Sequence, residues 1–434
     1  MTVSETRIDV LEELRWRGLV AISTDETALA SALAEGPITA YVGFDPTAPS
    51  LHIGNLVQIL TIRRLQLAGH RVIALVGGAT GLIGDPKPTS ERAFNDRSVV
   101  ADWVDRIRRQ IAPFLEFQGQ NPAFLVNNLD WTAPLSAIDF LREVGKHFRV
   151  NRMLGKEAVS ARLASDEGIS YTEFSYQILQ AMDFLELYRR YGCTLQLGGS
   201  DQWGNLTAGV DLIHRVEGFS AHAIATPLVT KADGSKFGKT ESGTVWLDPV
   251  MTTPYAFYQF WLNAEDAKVD EYLRIFTFRS REDIEALSRA TRDRPAAREA
   301  QRVLAADVTD AVHGVQARQR VEEASHALFG RGELATLGAG VLADAVAELP
   351  LARMPRGEHP VADLFALSGL VPSKSAGRRT IAEGGAYVNN RRIEDEDAVV
   401  GPADLLHGRW LVLRRGRRSL AAVEVTEGAS TDGA

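Results

Sequence analysis

The chain carries a single cysteine, Cys193, in 434 residues. An intramolecular disulfide and a cysteine-held zinc cluster are thereby excluded. Long apolar runs are missing too. The longest, VIALVGGATGLIG, is too short for a bilayer span and rich in glycine. The amino terminus, MTVSETRIDVLEELRWRGLV, is charged and helical in period, without the apolar core of a secretion signal. Nor is there an excess of positive charge: 48 basic against 56 acidic residues leave a net charge of -8. Nucleic acid would therefore have to be met by local basic patches, not by the overall field. These absences predict a soluble cytoplasmic protein with no membrane segment. What is present in quantity is apolar residues, 45% of the chain, enough for several buried cores. The length suits about three domains.

Periodicity predicts an α/β fold. After a helical lead-in over residues 1 to about 35, TAYVGF reads as a buried strand. NLVQILTIRRLQLAG follows as a helix stopped by Gly69, and HRVIALVGG reads as a second strand. Strand, helix, strand is a βαβ unit, which implies a parallel sheet. AFLVNNLDW, TLQLGG and HAIATPLVT read as further strands, with LTAGVDLIHRVEG as a helix between the last two. From about 252 to 330 the pattern is helical and charged. TLGAG and LPLARMPRGEHP read as a linker, and residues from about 360 as a small module of two helices and an AYVNNRRI strand with an Asn-Asn turn. The tail TEGASTDGA has the composition of a disordered segment.

Five segments carry candidate chemistry. FDPTAPSLHIGN places His52, Gly54 and Asn55 at a helix start, where the positive end of the helix favours an anion. The plainer reading of His52 alone is a helix cap. KADGSKFGKT puts Lys231, Lys236 and Lys239 with Gly234, Gly238 and Thr240 in one loop, a point-charge site for a polyphosphate or a solvated surface loop. In YTEFSYQILQAMDF, Tyr176, Gln180 and Asp183 share one helix face, suiting either a small polar ligand or water. GGSDQWGN follows a strand, so Gly199 and Asp201 fall where open α/β sheets bind ligands, with Asp201 suited to ribose hydroxyls. GGATGLIGDP looks like a phosphate-cradling loop but lacks the Gly-Lys-Ser/Thr ending, and Asp85 reads better as a partner for a ligand's ammonium group.

HIGN followed by KFGKT resembles the paired signatures of class I aminoacyl-tRNA synthetases. With YVGFDPTAPSLHIGN, GATGLIGDP, YQILQAMDF, QLGGSDQWGN and VWLDP, the chain resembles the bacterial tyrosyl-tRNA synthetases from about residue 10 to 425. The resemblance implies a Rossmann-type parallel-sheet catalytic domain over 1–230 with tyrosine and ATP sites. It implies a signature loop and helical anticodon-side domain over 231–340, a linker over 341–358, a small α+β RNA-binding module over 359–426 and a disordered tail over 427–434. It further implies a homodimer whose partners are L-tyrosine, ATP and tRNA(Tyr). Magnesium would accompany ATP, and no resident metal site or tightly bound cofactor is expected.

The same resemblance assigns roles. Tyr41 and Asp183 would hold the substrate phenol, and Asp85, Tyr176 and Gln180 its ammonium group, with Gln202 near the carboxylate. Gly43, Asp45, Thr47, His52, Gly54, Gly199, Asp201 and Lys239 would line the nucleotide. His52, Asn55, Lys236, Lys239 and Thr240 would stabilise charge on the phosphates during adenylate formation. The first signature ends in Asn55 where the family has a second His; an amide still donates there, without titrating. Which of Lys87 and Arg92 reaches the pyrophosphate is left open, because Pro88 departs from the family pattern. In the last module Lys374, Arg378 and Arg379 form a basic helix. Arg409, Arg414, Arg415, Arg417 and Arg418 lie in GRWLVLRRGRR with no acid among them, a pattern that suits RNA phosphates or a solvated surface. Three alternatives stand beside this reading: a tryptophanyl-tRNA synthetase, a small-molecule adenylyltransferase and a non-enzymatic RNA-binding descendant of a synthetase.

Overall fold

The computed structural model describes residues 9–87, 94–166, 168–235, 237–240, 243–330, 332–416 and 419–426, with backbone alone at 157, 158, 239 and 240. The chain folds as two compact units, one of Met1–Met251 with Ala264–Ala300, the other of Thr252–Asn263 with Gln301–Ala434. Among the described residues no helix is long and apolar enough to cross a membrane.

The first unit is built on six strands: β1 (Ile22–Ser23), β2 (Thr39–Phe44), β3 (Arg71–Val76), β4 (Phe124–Asn127), β5 (Cys193–Gly199) and β6 (His222–Thr226). Their order is β1-β6-β5-β2-β3-β4, and every pairing is parallel except β1 with β6. The inner strands are continuous apolar runs because helices cover the sheet. The helix Ile53–Leu67 connects β2 to β3, and the helix Trp203–Glu217 connects β5 to β6. The 21-residue helix Tyr171–Tyr191 ends at Gly192, whose φ of 63° turns the chain into β5. Its Ala181, Phe184, Leu185 and Leu187 pack in one core with Tyr41 of β2 and Ile73 and Leu75 of β3. From β2 the sheet is extended by β3 on one side and by β5 on the other. The carboxyl ends of β2 and β5 therefore flank a topological switch point, the place where such sheets open a crevice for ligands.

A short ribbon, β7 (Lys239–Thr240) with β8 (Gly243–Thr244), and the helices Val269–Phe276 and Arg281–Asp293 also belong to this unit. The sequence reading assigned them to a separate helical domain. Two buried arginines explain their place. Arg64, on the helix Ile53–Leu67, donates to the carbonyls of Ile275 at 2.9 Å and Thr277 at 2.7 Å. Arg17 donates to those of Arg274 at 2.8 Å and Thr277 at 3.0 Å. Together they satisfy the carbonyls that the end of the helix Val269–Phe276 leaves without intrahelical partners.

The second unit joins the helices Pro254–Leu262, Val315–Leu328 and Ala339–Ala347 to a five-stranded sheet. Its strands are β9 (Leu351–Pro355), β11 (Ala386–Val388), β12 (Arg391–Arg392), β14 (Trp410–Arg415) and β15 (Ser419–Thr426), in the order β12-β11-β14-β15-β9; β10 (His359–Pro360) and β13 (Val399–Val400) pair separately. Asn389 and Asn390 form the expected turn, with φ of 48° and 65°. Residues 341–358 do not form the linker that their sequence suggests. They hold most of the helix Ala339–Ala347 and all of β9, which pairs in parallel with β15. Three prolines and a glycine hid this strand, since an edge strand tolerates proline where an inner one does not.

Candidate functional site

The helix Ile53–Leu67 begins with a capping box made by the first signature. Nδ1 of His52 accepts from the Gly54 N–H at 3.0 Å, and Oδ1 of Asn55 accepts from the His52 N–H at 3.1 Å. Both acceptors are thus spent on the helix end. A neutral imidazole that accepts at Nδ1 carries its hydrogen on Nε2, and Asn55 keeps its Nδ2 hydrogens as donors. The cap therefore leaves two side-chain donors at a positive helix terminus, an arrangement compatible with an anion. Gly54 makes room for it, because a Cβ there would stand 2.8 Å from His52 Cε1.

The second signature is stitched to the first through the backbone. The Ile53 N–H donates to the Val245 carbonyl at 3.2 Å, the Val245 N–H to Gly238 at 2.9 Å and the Leu247 N–H to Leu51 at 2.8 Å. His52 bridges to Trp246, with rings 6.2 Å apart. Gly238, at φ 84°, lies so close to Ile53 that a Cβ would fall 2.6 Å from its Cγ1. Phe237 stacks on Tyr272 at 4.4 Å, and the Tyr272 hydroxyl donates to the Thr230 carbonyl at 3.0 Å. Backbone placement at Lys239 and Thr240 thus falls beside the start of the signature helix. Their side chains and all of Lys236 lie outside the described residues.

On the other side of β2 a polar pocket is set into apolar core. Tyr41 is 2% exposed, and its hydroxyl is buried without a hydrogen-bond partner. Asp183, equally buried, accepts from Trp131 Nε1 at 2.8 Å and from Asn128 Nδ2 at 2.9 Å. Burial pushes the Asp183 carboxyl up to about 7, against the pull of those two donors. Burial, and then the Asp183 charge, holds the Tyr41 phenol well above its ordinary value. The buried Oε1 atoms of Gln180 and Gln196 also lack partners, and Gln196 is the register neighbour of Tyr41 across β5. Stranded buried polar atoms are costly, roughly 1–3 kcal/mol each. Tyr41 and Gln196, neighbours in register, leave two such atoms side by side, which marks a place suited to a polar ligand.

Two acidic networks continue from this pocket. Asp45 accepts from the Tyr176 hydroxyl at 2.7 Å and from Thr80 at 2.6 Å. The pair GG in GGATG serves this packing and not a phosphate: a Cβ at Gly77 would stand 2.1 Å from Asp45 Oδ1. Asp85 accepts from Gln202 Nε2 at 2.9 Å and from Asn205 Nδ2 at 3.2 Å. Thr80 and Asn128 join Asp45 and Tyr176 to Asp183, while Asp85, Gln202 and Asn205 form a second set whose charge acts on Tyr176. Gly43, Thr47 and Asp201 are exposed at the carboxyl ends of β2 and β5, and Asp201 folds over Gly199. The Lys87 carbonyl accepts from Arg162, while Arg92 lies outside the described residues.

Sequence reading missed Asn128, Trp131, Thr80, Gln196 and Asn205. NNLDW was legible as a strand end, but nothing in it tells that two of its side chains hold a carboxylate some fifty residues on. In the second unit Lys374 and Arg378 are exposed and reach Asp363 at 2.7 Å and Asp397 at 3.4 Å. Arg379 and Arg415 are exposed, and Arg414 lies 3.9 Å over the Tyr387 ring. The basic strand is less purely basic than its sequence, since Arg409 pairs with Glu424 at 2.5 Å across the β14–β15 hairpin. Arg417 and Arg418 lie outside the described residues.

Comparison with known proteins meets this geometry. Residues 33–330 match the family described as tRNA synthetases class I (W and Y), and residues 342–423 the tyrosine–tRNA ligase SYY-like C-terminal domain. The tyrosine–tRNA ligase of Streptomyces avermitilis is 68% identical, covering 97% of this chain and 100% of its own. That of Acidothermus cellulolyticus is 62% identical, covering 96% and 99%. A solved C-terminally truncated mitochondrial tyrosyl-tRNA synthetase from Coccidioides posadasii is 30% identical with a TM-score of 0.65, covering 73% of this chain and 92% of that one. A tryptophanyl-tRNA synthetase from Encephalitozoon cuniculi shares the fold at 15% identity and a TM-score of 0.53, covering 71% and 87%. A pocket of stranded phenol-type partners beside a donor-bearing helix start, with these relatives along nearly the whole length, means that the chain belongs to the tyrosyl-tRNA synthetases of class I.

Proposed function

We infer that the chain joins L-tyrosine to ATP as tyrosyl-adenylate, releasing pyrophosphate, and then passes the tyrosyl group to the terminal ribose of tRNA(Tyr). The observation that carries the amino-acid choice is the stranded Tyr41 hydroxyl beside the Asp183 carboxylate. A phenol entering there donates to Asp183 and accepts from Tyr41. Asp85 then faces the ammonium group. The substrate carboxylate is already ionised, so its attack on the α-phosphate needs no general base. The chain's task is positioning and stabilisation of phosphate charge. His52 and Asn55 supply donors, with Lys236, Lys239 and Thr240 assigned by motif to the same work. Magnesium enters on the phosphate oxygens of ATP, as is usual for that ion.

Pyrophosphate exchange with each of the twenty amino acids, without tRNA, tests this. Exchange with tyrosine alone is expected. Exchange with tryptophan would overturn the phenol assignment, and none from folded protein would overturn the activating step. The identity to tyrosine–tRNA ligases does not favour the tryptophanyl or adenylyltransferase alternatives.

A homodimer is part of the proposal: Ile138, Leu141, Val150 and Leu154, close in sequence, leave 64, 48, 60 and 38% of their surface exposed, and burying them against a second copy would be favourable. The carboxyl-terminal module is proposed to hold tRNA phosphates. Arg378→Gln with Arg379→Gln should raise KM for tRNA several-fold and flatten its salt dependence by about 0.7–0.9 for each phosphate left without its arginine. Tyrosine-dependent exchange should stay within twofold. An unchanged salt slope in the charging assay would remove these residues from the RNA interface.

A further inference from the structure

Lys156 belongs to none of the sequence motifs, yet it is built into the amino-acid site. Its Nζ donates to Oδ1 of Asn205. Nδ2 of the same amide donates to Gln202 Oε1 at 2.7 Å and to Asp85 Oδ1 at 3.2 Å, while Gln202 Nε2 donates to Asp85 Oδ2 at 2.9 Å. Asn205 is only 4% exposed. The stem of Lys156 lies on the backbone of Gly204, where a Cβ would stand 3.2 Å from its Cε. Burial holds the Lys156 ammonium down to about 8, with Asp85 pulling the other way.

An asparagine amide has nearly the same shape either way round, so its orientation is set by what each end meets. A cation at one end makes that end the oxygen. The nitrogen must then face Asp85 and Gln202. Without the cation the amide can turn over and set its oxygen against the Asp85 carboxylate. We propose that Lys156 is a positioning residue for tyrosine binding: it orients the Asn205 amide and thereby holds Gln202 and Asp85 as the receiver of the substrate's ammonium group. This rests on the reading of Asp85 as the ammonium partner.

Lys156 also lines a cleft of about 480 Å³ with Arg152, Gln177, Gly204 and Arg215. A role confined to an anion in that cleft is the rival explanation. Pyrophosphate exchange without tRNA separates the two. Lys156→Met should raise KM for tyrosine about tenfold, with kcat and KM for ATP within twofold. Asn205→Ala should do the same, and the double variant should be no worse than either, since both act through one amide. Shifts that multiply, or an unchanged KM for tyrosine in either folded single variant, would overturn the proposal. Asp85→Asn is the control for the underlying reading: if it too leaves KM for tyrosine unchanged, the ammonium assignment falls, and the proposal with it. If Asp85→Asn raises KM while Lys156→Met and Asn205→Ala do not, the role of Lys156 alone is refuted.

Discussion

Asp183→Ala is expected to reduce the preference for tyrosine over phenylalanine by about one to two orders of magnitude in pyrophosphate exchange. The carboxylate is buried and already holds one N–H on each oxygen, from Trp131 and Asn128. A substrate phenol adds a third donor to a charged acceptor, worth about 1.5–3 kcal/mol, and 1.4 kcal/mol is a factor of ten. Phenylalanine makes no such bond and loses nothing when the acceptor goes. An unchanged ratio in folded protein would sink the assignment. Tyr41→Phe gives the complementary result. It removes a buried hydroxyl that has no hydrogen-bond partner within the protein, so the unliganded protein should be as stable as the parent or more so. Its tyrosine affinity should nevertheless fall about fivefold, from the loss of roughly 1 kcal/mol of hydrogen bonding.

The same pocket predicts a pH dependence. Because burial raises Asp183 above the ordinary carboxylate range, to about 7, its ionisation opposes folding. Its contribution to stability is complete below the ordinary carboxylate range and lost as pH rises through about 7. Bound tyrosine reverses the preference, since a phenol donor favours the carboxylate. KM for tyrosine should therefore fall between roughly pH 6 and pH 8, and Asp183→Ala should abolish that slope.

His52→Ala should slow adenylate formation by roughly 10²–10³-fold, as for loss of one donor aimed at transition-state charge, with tyrosine affinity unchanged. Single-turnover measurement of tyrosyl-adenylate separates rate from binding. Gly54→Ala should act in the same direction through the neighbour it displaces, because its new Cβ would stand 2.8 Å from His52 Cε1 and 2.9 Å from Nδ1. A full rate in His52→Ala would leave that side chain a helix cap and nothing more.

TAYVGF shows which residues were legible and why. It is a β-branched and aromatic run between turn signals, and it forms β2 at the predicted bounds. The helix after HIGN and the face shared by Tyr176, Gln180 and Asp183 follow from period in the same way. Leu351–Pro355 was not legible, because its partner is β15, some seventy residues on, and a parallel edge pairing leaves no local pattern. GGATG lacks the ending of a phosphate loop, yet what its glycines are for was not legible either, for a related reason. Its glycines answer a need for space around Asp45 and Asn127, and sequence does not say what fills the space that a glycine leaves.

The sequence alone thus determined the local elements, the two signatures and the kinds of side chain at hand, since period, capping and composition act over a few residues. Tertiary structure alone decided which of those side chains meet. It set Asn128 and Trp131 on Asp183, Trp246 against His52, and Lys156 behind Asn205. Hydrogen bonds and burial join residues by distance in space, and only the folded chain has distances of that kind.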